Sequence, residues 1–148
     1  MALVADSYCR EGHDQIPGLT LQGGVPLPLM LTIAPILLFE PTMASLVQAP
    51  PTLAQWNAEN RRHVAILGPR YARFSYASMA ALSMGLSTNL LIRTHPNTWP
   101  EYKPGDSMTD GAVIPLEPEQ HRLAADSLGR LFATANLTEA TLLLGLDV

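Results

Sequence analysis

Four histidines and one cysteine are the residues of this 148-residue chain that most often carry metal or redox chemistry. They are Cys9, His13, His63, His95 and His121. Cys9 and His13 stand four residues apart, but a structural zinc site needs four ligands, and no further residue completes a recognised ligand spacing. The single cysteine also excludes an internal disulfide. We therefore predict no metal site and no cofactor.

Motifs of nucleotide-binding and hydrolytic enzymes are missing from the sequence. It has no phosphate-binding loop of the Walker type and no Gly-x-Ser-x-Gly elbow. Two pairs of acidic residues occur, at 106/110 and 117/119, but a turn and a helix start use carboxylates for capping. We predict a protein that is not an enzyme. The alternative of a small enzyme would need a site gathered from His95, Asp106, Asp110 and His121.

Arginine and tyrosine cluster between residues 61 and 76. The cluster consists of Arg61, Arg62, Arg70, Tyr71, Arg73 and Tyr76. Such residues can bind nucleic acid, but they are also favoured at protein interfaces. The net charge is −4, and acidic residues predominate from Glu101 onward. We therefore predict that Arg70 and Arg73 contact protein, pairing with acids of the same fold or of another copy, and that nucleic acid is not the partner.

The segment before this cluster combines apolar side chains with prolines. From Gln15 to Ala58 the only charged residue is Glu40. Prolines stand at 17, 26, 28, 35, 41, 50 and 51, and they exclude a long regular helix. The apolar residues alternate at 27–33, which predicts a short extended segment. We predict an extended N-terminal arm over 1–51 whose partner-binding residues are Leu27, Leu29, Leu31, Ile33, Leu37 and Phe39.

Helices are predicted beyond residue 51. Thr52 followed by Gln55 is a capping-box pattern that opens a helix over 53–67, and Gly68-Pro69 would end it. A second helix is predicted over 70–92, so that the two form a helical hairpin. Its small residues Ala77, Ala81 and Gly85 are spaced by four, which would let a partner helix approach closely.

Two more helices complete the predicted fold. An amphipathic helix is expected near 118–135, and Asn136 with Glu139 predicts a cap for a short last helix that Gly145 would stop. The fold class is therefore mostly α, with a helical domain over 52–148. A small α+β domain with strands at 27–33 and 112–114 is the alternative, as is a more open shape formed by neighbouring chains.

Low charge density favours a subunit of an assembly. Charged residues make up 15% of the chain, against the usual quarter. We predict a structural or accessory subunit of a large multi-protein assembly, with a virus or phage particle as one setting and a cytoplasmic assembly as another. Other protein subunits, including copies of itself, would be its partners.

The alternative is a membrane-associated accessory protein that uses 25–47 or 74–92. Charges precede any long apolar run at the N-terminus, so no signal peptide is predicted.

Overall fold

The computed structural model describes residues 1–11, 24–94, 99–106 and 119–146. Eight helices and a three-stranded antiparallel sheet occur in these ranges, which confirms the mostly-α prediction. In chain order they are α1 (Ala2–Glu11), β1 (Val25–Pro26), α2 (Leu27–Leu37), α3 (Glu40–Val47), α4 (Leu53–Glu59), α5 (Arg61–Val64), α6 (Leu67–Ser87), β2 (Leu91–Thr94), β3 (Glu101–Pro104), α7 (Glu119–Ala133) and α8 (Leu137–Leu143).

The apolar, proline-marked segment is helical, so the prediction of an extended conformation for 27–33 is wrong. Pro28 and Pro41 lie in the first turns of α2 and α3. A backbone N–H has no intrahelical partner at these positions, so proline is tolerated there. The alternation of apolar residues that suggested a strand reflects burial around most of α2, because prolines and polar residues such as Thr32 are buried together with the leucines.

Pro35 lies inside α2, where it removes one backbone hydrogen bond. The acceptor that loses its partner is the carbonyl of Leu31, four residues earlier. The buried side chain of Ser78 on α6 donates its hydroxyl to this oxygen at 3.2 Å. The proline therefore creates an acceptor on α2 that a second helix satisfies, and this bond ties α6 to α2.

The turn between α2 and α3 is closed by a buried threonine. The hydroxyl of Thr42 lies 2.5 Å from the carbonyl oxygen of Ile36 and 2.8 Å from that of Phe39. The backbone N–H groups of Thr42 and Met43 also donate to the Phe39 oxygen. The two helices consequently bend sharply at residues 38–39 with their backbone groups satisfied.

The predicted helix over 53–67 is divided into two helices. The Thr52 cap is confirmed, since its side chain accepts a hydrogen bond from the backbone N–H of Gln55 at 3.3 Å. However, α4 ends at Glu59 and α5 is a single turn. Gly68-Pro69 does not stop a helix but lies in the first turn of α6, where proline needs no donor. The predicted hairpin turn at this dipeptide is therefore wrong.

The second predicted helix is shorter at its C-terminus than expected. The helix α6 ends at Ser87, and Asn89 adopts a left-handed backbone conformation with φ of 54°. Residues 91–94 then form β2, which pairs with β3, and β3 pairs in turn with β1. Leucine at 90 and 91 fits either a helix or a strand, so the sequence pattern alone could not place this boundary.

The N-terminal residues form a helix that packs closely on α7, although the sequence suggested an irregular segment. Gly129 allows this contact, because a Cβ atom at 129 would lie 2.5 Å from the carbonyl oxygen of Val4. The hydroxyl of Ser7 donates to the carbonyl of Asp126 at 2.7 Å. Arg10 reaches the carboxylate of Asp126 at 3.2 Å. We call this contact the α1–α7 seam.

The last two helices occur as predicted. The Asn136 side chain accepts from the N–H of Glu139 at 2.9 Å, and Gly145 takes a left-handed φ of 64° after α8. The predicted strand at 112–114 lies outside the described residues. One buried apolar cluster draws side chains from α1, α2, α4 and α7, including Trp56 and Phe132. The division into an arm (1–51) and a helical domain (52–148) stays a prediction, since a packed chain does not show which part folds alone.

Candidate protein-binding surface

The predicted binding residues of the N-terminal segment contribute mainly to the packed interior. Leu29 and Ile33 are fully buried, and Leu27, Leu31, Leu37 and Phe39 are partly buried. Their helix α2 packs against α6 and contacts α3, α7 and α8. A partner would reach little of these side chains in this conformation, and their role in partner binding stays a prediction.

The outer face of α6 is exposed and uncharged beyond its first two turns. Arg73, Tyr76, Ala77, Ala80 and Met84 lie within about 100° of one another around the helix axis, so they share one face of the helix, and all five are exposed. We call these five residues the α6 stripe. The opposite face carries Leu67, Ser78, Leu82 and Gly85, which are buried.

The three small residues that the sequence pattern grouped together do not lie on the same side of α6. Ala77 and Ala81 are exposed, whereas Gly85 is buried. A Cβ atom at 85 would lie 2.8 Å from the Leu91 side chain, so Gly85 serves the internal contact between α6 and β2. The prediction that all three residues receive one partner helix is not tested by a structure of the chain alone.

Large apolar side chains make the α6 stripe unusual for a free surface. Tyr76 is 87% exposed and Met84 is 67% exposed, and Met79 beside them is also exposed. Aromatic residues, methionine and arginine are enriched in protein interfaces, while lysine and acidic residues are depleted. The sequence analysis missed Met79 and Met84. Met79 follows Tyr76 by three residues and Met84 follows Ala77 by seven. This helical spacing was the signal that could have placed both methionines near the same surface.

The arginines at the beginning of this surface have no acidic partners among the residues that the structure describes. Among the described residues, the ion pairs join Arg10 to Asp6 and Asp126, Arg122 to Glu119, and Arg130 to Asp126. Within the same ranges, no ion pair or hydrogen bond involves the side chains of Arg61, Arg62, Arg70, Arg73 or Arg93. The described acids therefore do not neutralise the basic cluster, and the predicted pairing of Arg70 and Arg73 with acids stays a prediction.

Arg70 differs from the other members of the cluster because an aromatic ring holds it. Its guanidinium carbon lies 3.3 Å from the centroid of the Phe39 ring. His63 contacts the same ring edge-on, with centroids 6.1 Å apart and planes at 77°. Arg70 is only partly exposed, whereas Arg61, Arg62 and Arg73 are exposed. The α2–α3 bend thus supports the first turn of α6.

The titratable groups near α1 are shifted towards their neutral forms. Burial raises the pKa of Tyr8 to about 12, with the charge of Glu101 adding to the effect. Burial also raises the pKa of Glu101, against the opposing effects of the Gly24 N–H and Lys103. The pKa of the Cys9 thiol is raised, again chiefly by burial. A thiol with a raised pKa is a poor nucleophile at neutral pH, so these groups favour a structural role.

Searches for other kinds of site gave two results. Within residues 1–11, 24–94, 99–106 and 119–146, no group of three or more His, Cys, Asp or Glu side chains could hold a metal ion. A cavity of about 380 Å³ lies between residues 49–51 and α7, but the Arg130 guanidinium that lines it already donates to the Ser127 hydroxyl and to the Asp126 carboxylate. His95 and Asp110 lie outside the described residues, so the enzyme alternative stays untested.

In the described part of the chain, no helix taken singly has the length and apolar character to cross a membrane. Only α2 and α3 together meet these criteria, and they are bent by 102° at their junction. The membrane alternative through 25–47 or 74–92 stays a prediction.

The comparisons with known proteins identify one family. No curated protein and no solved structure matches the chain. A family model described as ABC-three component (ABC-3C) system Middle Component 3 matches residues 20–148. This description confirms the prediction of an accessory component of a multi-protein system in its general form, and it does not support the virus or phage particle. Because the match covers most of the chain, the protein belongs to the ABC-three component system Middle Component 3 family.

Proposed function

We propose that this protein is a non-catalytic accessory component that holds another protein component of its three-component system through the α6 stripe and the arginines that precede it. The observation that carries the proposal is the combination of an exposed helix face that has no charge beyond Arg73 with arginines that lack acidic partners in the described chain. The family description supplies the context, since it names a component of a multi-protein system.

The chemistry of this surface indicates what kind of partner fits it. Tyr76, Met79 and Met84 offer apolar area that burial would remove from water, which stabilises a complex. Arg61 and Arg62 on the preceding helix α5, and Arg73 in the second turn of α6, are exposed and carry positive charge. The expected partner surface is therefore apolar at its centre, to cover α6, and acidic at one border. The exposed methionines and the net charge of −4 favour protein over nucleic acid as the partner.

The proposal is tested by co-expressing the chain with each of the other two components of its three-component system and measuring the affinity of any complex. A Tyr76→Ala/Met84→Ala variant should bind about tenfold more weakly or worse, because exposed aromatic anchors contribute strongly to interfaces. The matched control is Leu142→Ala, since Leu142 is 79% exposed but lies on α8. This control should bind like the wild type.

The contribution of the arginines is measured in the same assay. An Arg61→Gln/Arg62→Gln/Arg73→Gln variant should associate more slowly and should lose much of the salt dependence of association. The control is Arg122→Gln, whose arginine pairs with Glu119 on α7. Unchanged affinity in the Tyr76→Ala/Met84→Ala variant would overturn the proposal. Dimerisation of the chain alone that this variant abolishes would also overturn it, because the occupant would then be a second copy.

A further inference from the structure

Arg70 is held in a fixed position by contacts with the face of its guanidinium group. The guanidinium carbon is 3.3 Å from the Phe39 ring centroid, a distance at which the cation and the ring attract each other. The ring is held by its place in the α2–α3 bend and by the edge contact with His63. Arg70 therefore loses less side-chain freedom on binding a ligand than an arginine in open solvent.

Stacking leaves the N–H groups of Arg70 without acceptors. A guanidinium group carries five N–H donors in its plane, and a ring beneath its face uses none of them. Among the described residues nothing accepts a hydrogen bond from the Arg70 side chain, and its Nη1 atom is buried. Neither Glu40, which follows Phe39 in the sequence, nor Glu59 forms an ion pair with it, and both acids are exposed. Since Arg70 as a whole is partly exposed, a ligand that reaches its accessible N–H groups would supply the acceptors that the described residues do not.

His63 adds a second polar atom to the same place. Its Nδ1 atom is buried and, within the described residues, has no hydrogen-bond partner. Both unpartnered side chains contact the Phe39 ring. The stack of His63, Phe39 and Arg70 is thus a site with unmet hydrogen-bonding capacity at the edge of a surface that otherwise presents apolar groups.

We propose that the stacked Arg70 is the specificity-determining anchor of this surface and that it receives the carboxylate of an aspartate or glutamate side chain from the partner component. A carboxylate matches the guanidinium fork with two parallel hydrogen bonds, which a point charge such as lysine cannot reproduce. This inference rests on the proposed function. It adds that the partner's acidic border includes one carboxylate in a defined position, whereas Arg61, Arg62 and Arg73 attract the partner without fixed geometry.

The test compares Arg70→Lys with Arg73→Lys in the complex with the other system components. Both variants keep the charge, but only Arg70→Lys removes a stacked, planar group. We expect Arg70→Lys to weaken binding about tenfold and Arg73→Lys to change it less than about twofold. Phe39→Leu, which removes the ring but keeps the Arg70 side chain, should also weaken binding. If Arg70→Lys lowers the thermal stability of the chain, the affinity of the Phe39→Leu variant decides the test instead.

Each outcome decides between the two proposals. If Arg70→Lys and Phe39→Leu bind like the wild type while Tyr76→Ala/Met84→Ala binds weakly, the α6 surface stands and the carboxylate anchor is wrong. If all of these variants bind like the wild type, the proposed function itself is wrong. Binding of a DNA duplex by the wild type that Arg70→Lys abolishes would assign the arginine to phosphate and would also overturn the inference.

Discussion

The α1–α7 seam and the surface formed by the α6 stripe, Met79 and the arginines at 61, 62 and 70, here called the α5–α6 surface, use the same residue types in opposite ways. In the seam, small residues bring two helices into contact, and Arg10 and Arg130 both pair with Asp126. On the α5–α6 surface, small residues face outward and the arginines have no acid among the described residues. Both regions are built from alanine, serine, tyrosine and arginine, so composition alone does not distinguish them.

The difference lies in what each region leaves unsatisfied. In the seam the hydroxyl of Ser7, the carboxylate of Asp126 and the guanidinium groups around it all have partners within the chain. On the α5–α6 surface, large apolar groups are exposed and, in the described ranges, the Arg70 guanidinium has no hydrogen-bond acceptor. The first region is complete as a structure, whereas the second would be completed by the partner component under the proposed function.

The largest expected effect comes from placing a side chain in the seam. A Gly129→Val variant puts atoms within 2.5 Å of the Val4 carbonyl oxygen, so α1 must move away from α7. We expect a loss of unfolding free energy of about 3 kcal/mol or more, measured by urea denaturation. The matched variant Ala80→Val adds similar atoms to the α6 stripe, and helix propensity limits its effect to about 0.7 kcal/mol. Equal losses in the two variants would contradict the comparison.

A smaller effect is expected from alkaline pH, which acts on the seam side of the molecule. The pKa of the buried Tyr8 hydroxyl is about 12 in the folded protein, above its ordinary value of 10.0, so the folded state holds this proton more tightly than the unfolded state. Stability is therefore fully present below pH 10 and decreases as the pH rises towards 12, by about 1.4 kcal/mol per pH unit.

The measurement is the unfolding free energy of the wild type and of Tyr8→Phe between pH 8 and about pH 12, followed by circular dichroism. Phenylalanine has no proton to lose, so the variant should show a flatter alkaline decrease. Parallel decreases in both proteins would mean that Tyr8 is not the group responsible.

The smallest expected effect concerns the bond that joins α6 to α2. Ser78→Ala removes the donor to the Leu31 carbonyl and leaves this oxygen buried without its partner. We expect a loss of about 1–2 kcal/mol of unfolding free energy, measured by thermal unfolding. Ser83→Ala on the exposed face of α6 is the control and should change stability by less than about 0.5 kcal/mol. A Ser78→Ala variant with the same unfolding free energy as the wild type would show that this bond does not stabilise the packing of α6 on α2.

Local signals in the sequence predicted local structure well. The caps at Thr52 and Asn136 are both present with the expected hydrogen bonds, and the stop at Gly145 has the left-handed backbone that favours glycine. These features depend on a few consecutive residues, so neighbouring residues in the chain contain the whole signal. The amphipathic pattern of α7 is of the same kind.

Proline was misread because its effect depends on position within a helix. Pro28, Pro41 and Pro69 lie in first turns, where the missing N–H costs nothing, and only Pro35 interrupts a hydrogen bond. The compensation for Pro35 comes from Ser78, which is 43 residues away in the sequence. No local pattern could reveal such a long-range bond, and the same holds for the stack of Arg70 on Phe39.

The bond between Ser78 and Leu31 also determines which residues of α6 a partner can meet. Successive residues of an α-helix are about 100° apart around its axis, so a shift of α6 by one position would turn Ser78 away from the free carbonyl. The same shift would rotate Tyr76 and Met84 out of the exposed stripe. A missing donor in α2 therefore sets the rotational orientation of α6, and part of the information that defines the binding surface resides in Pro35, a residue that no partner touches in the proposed complex.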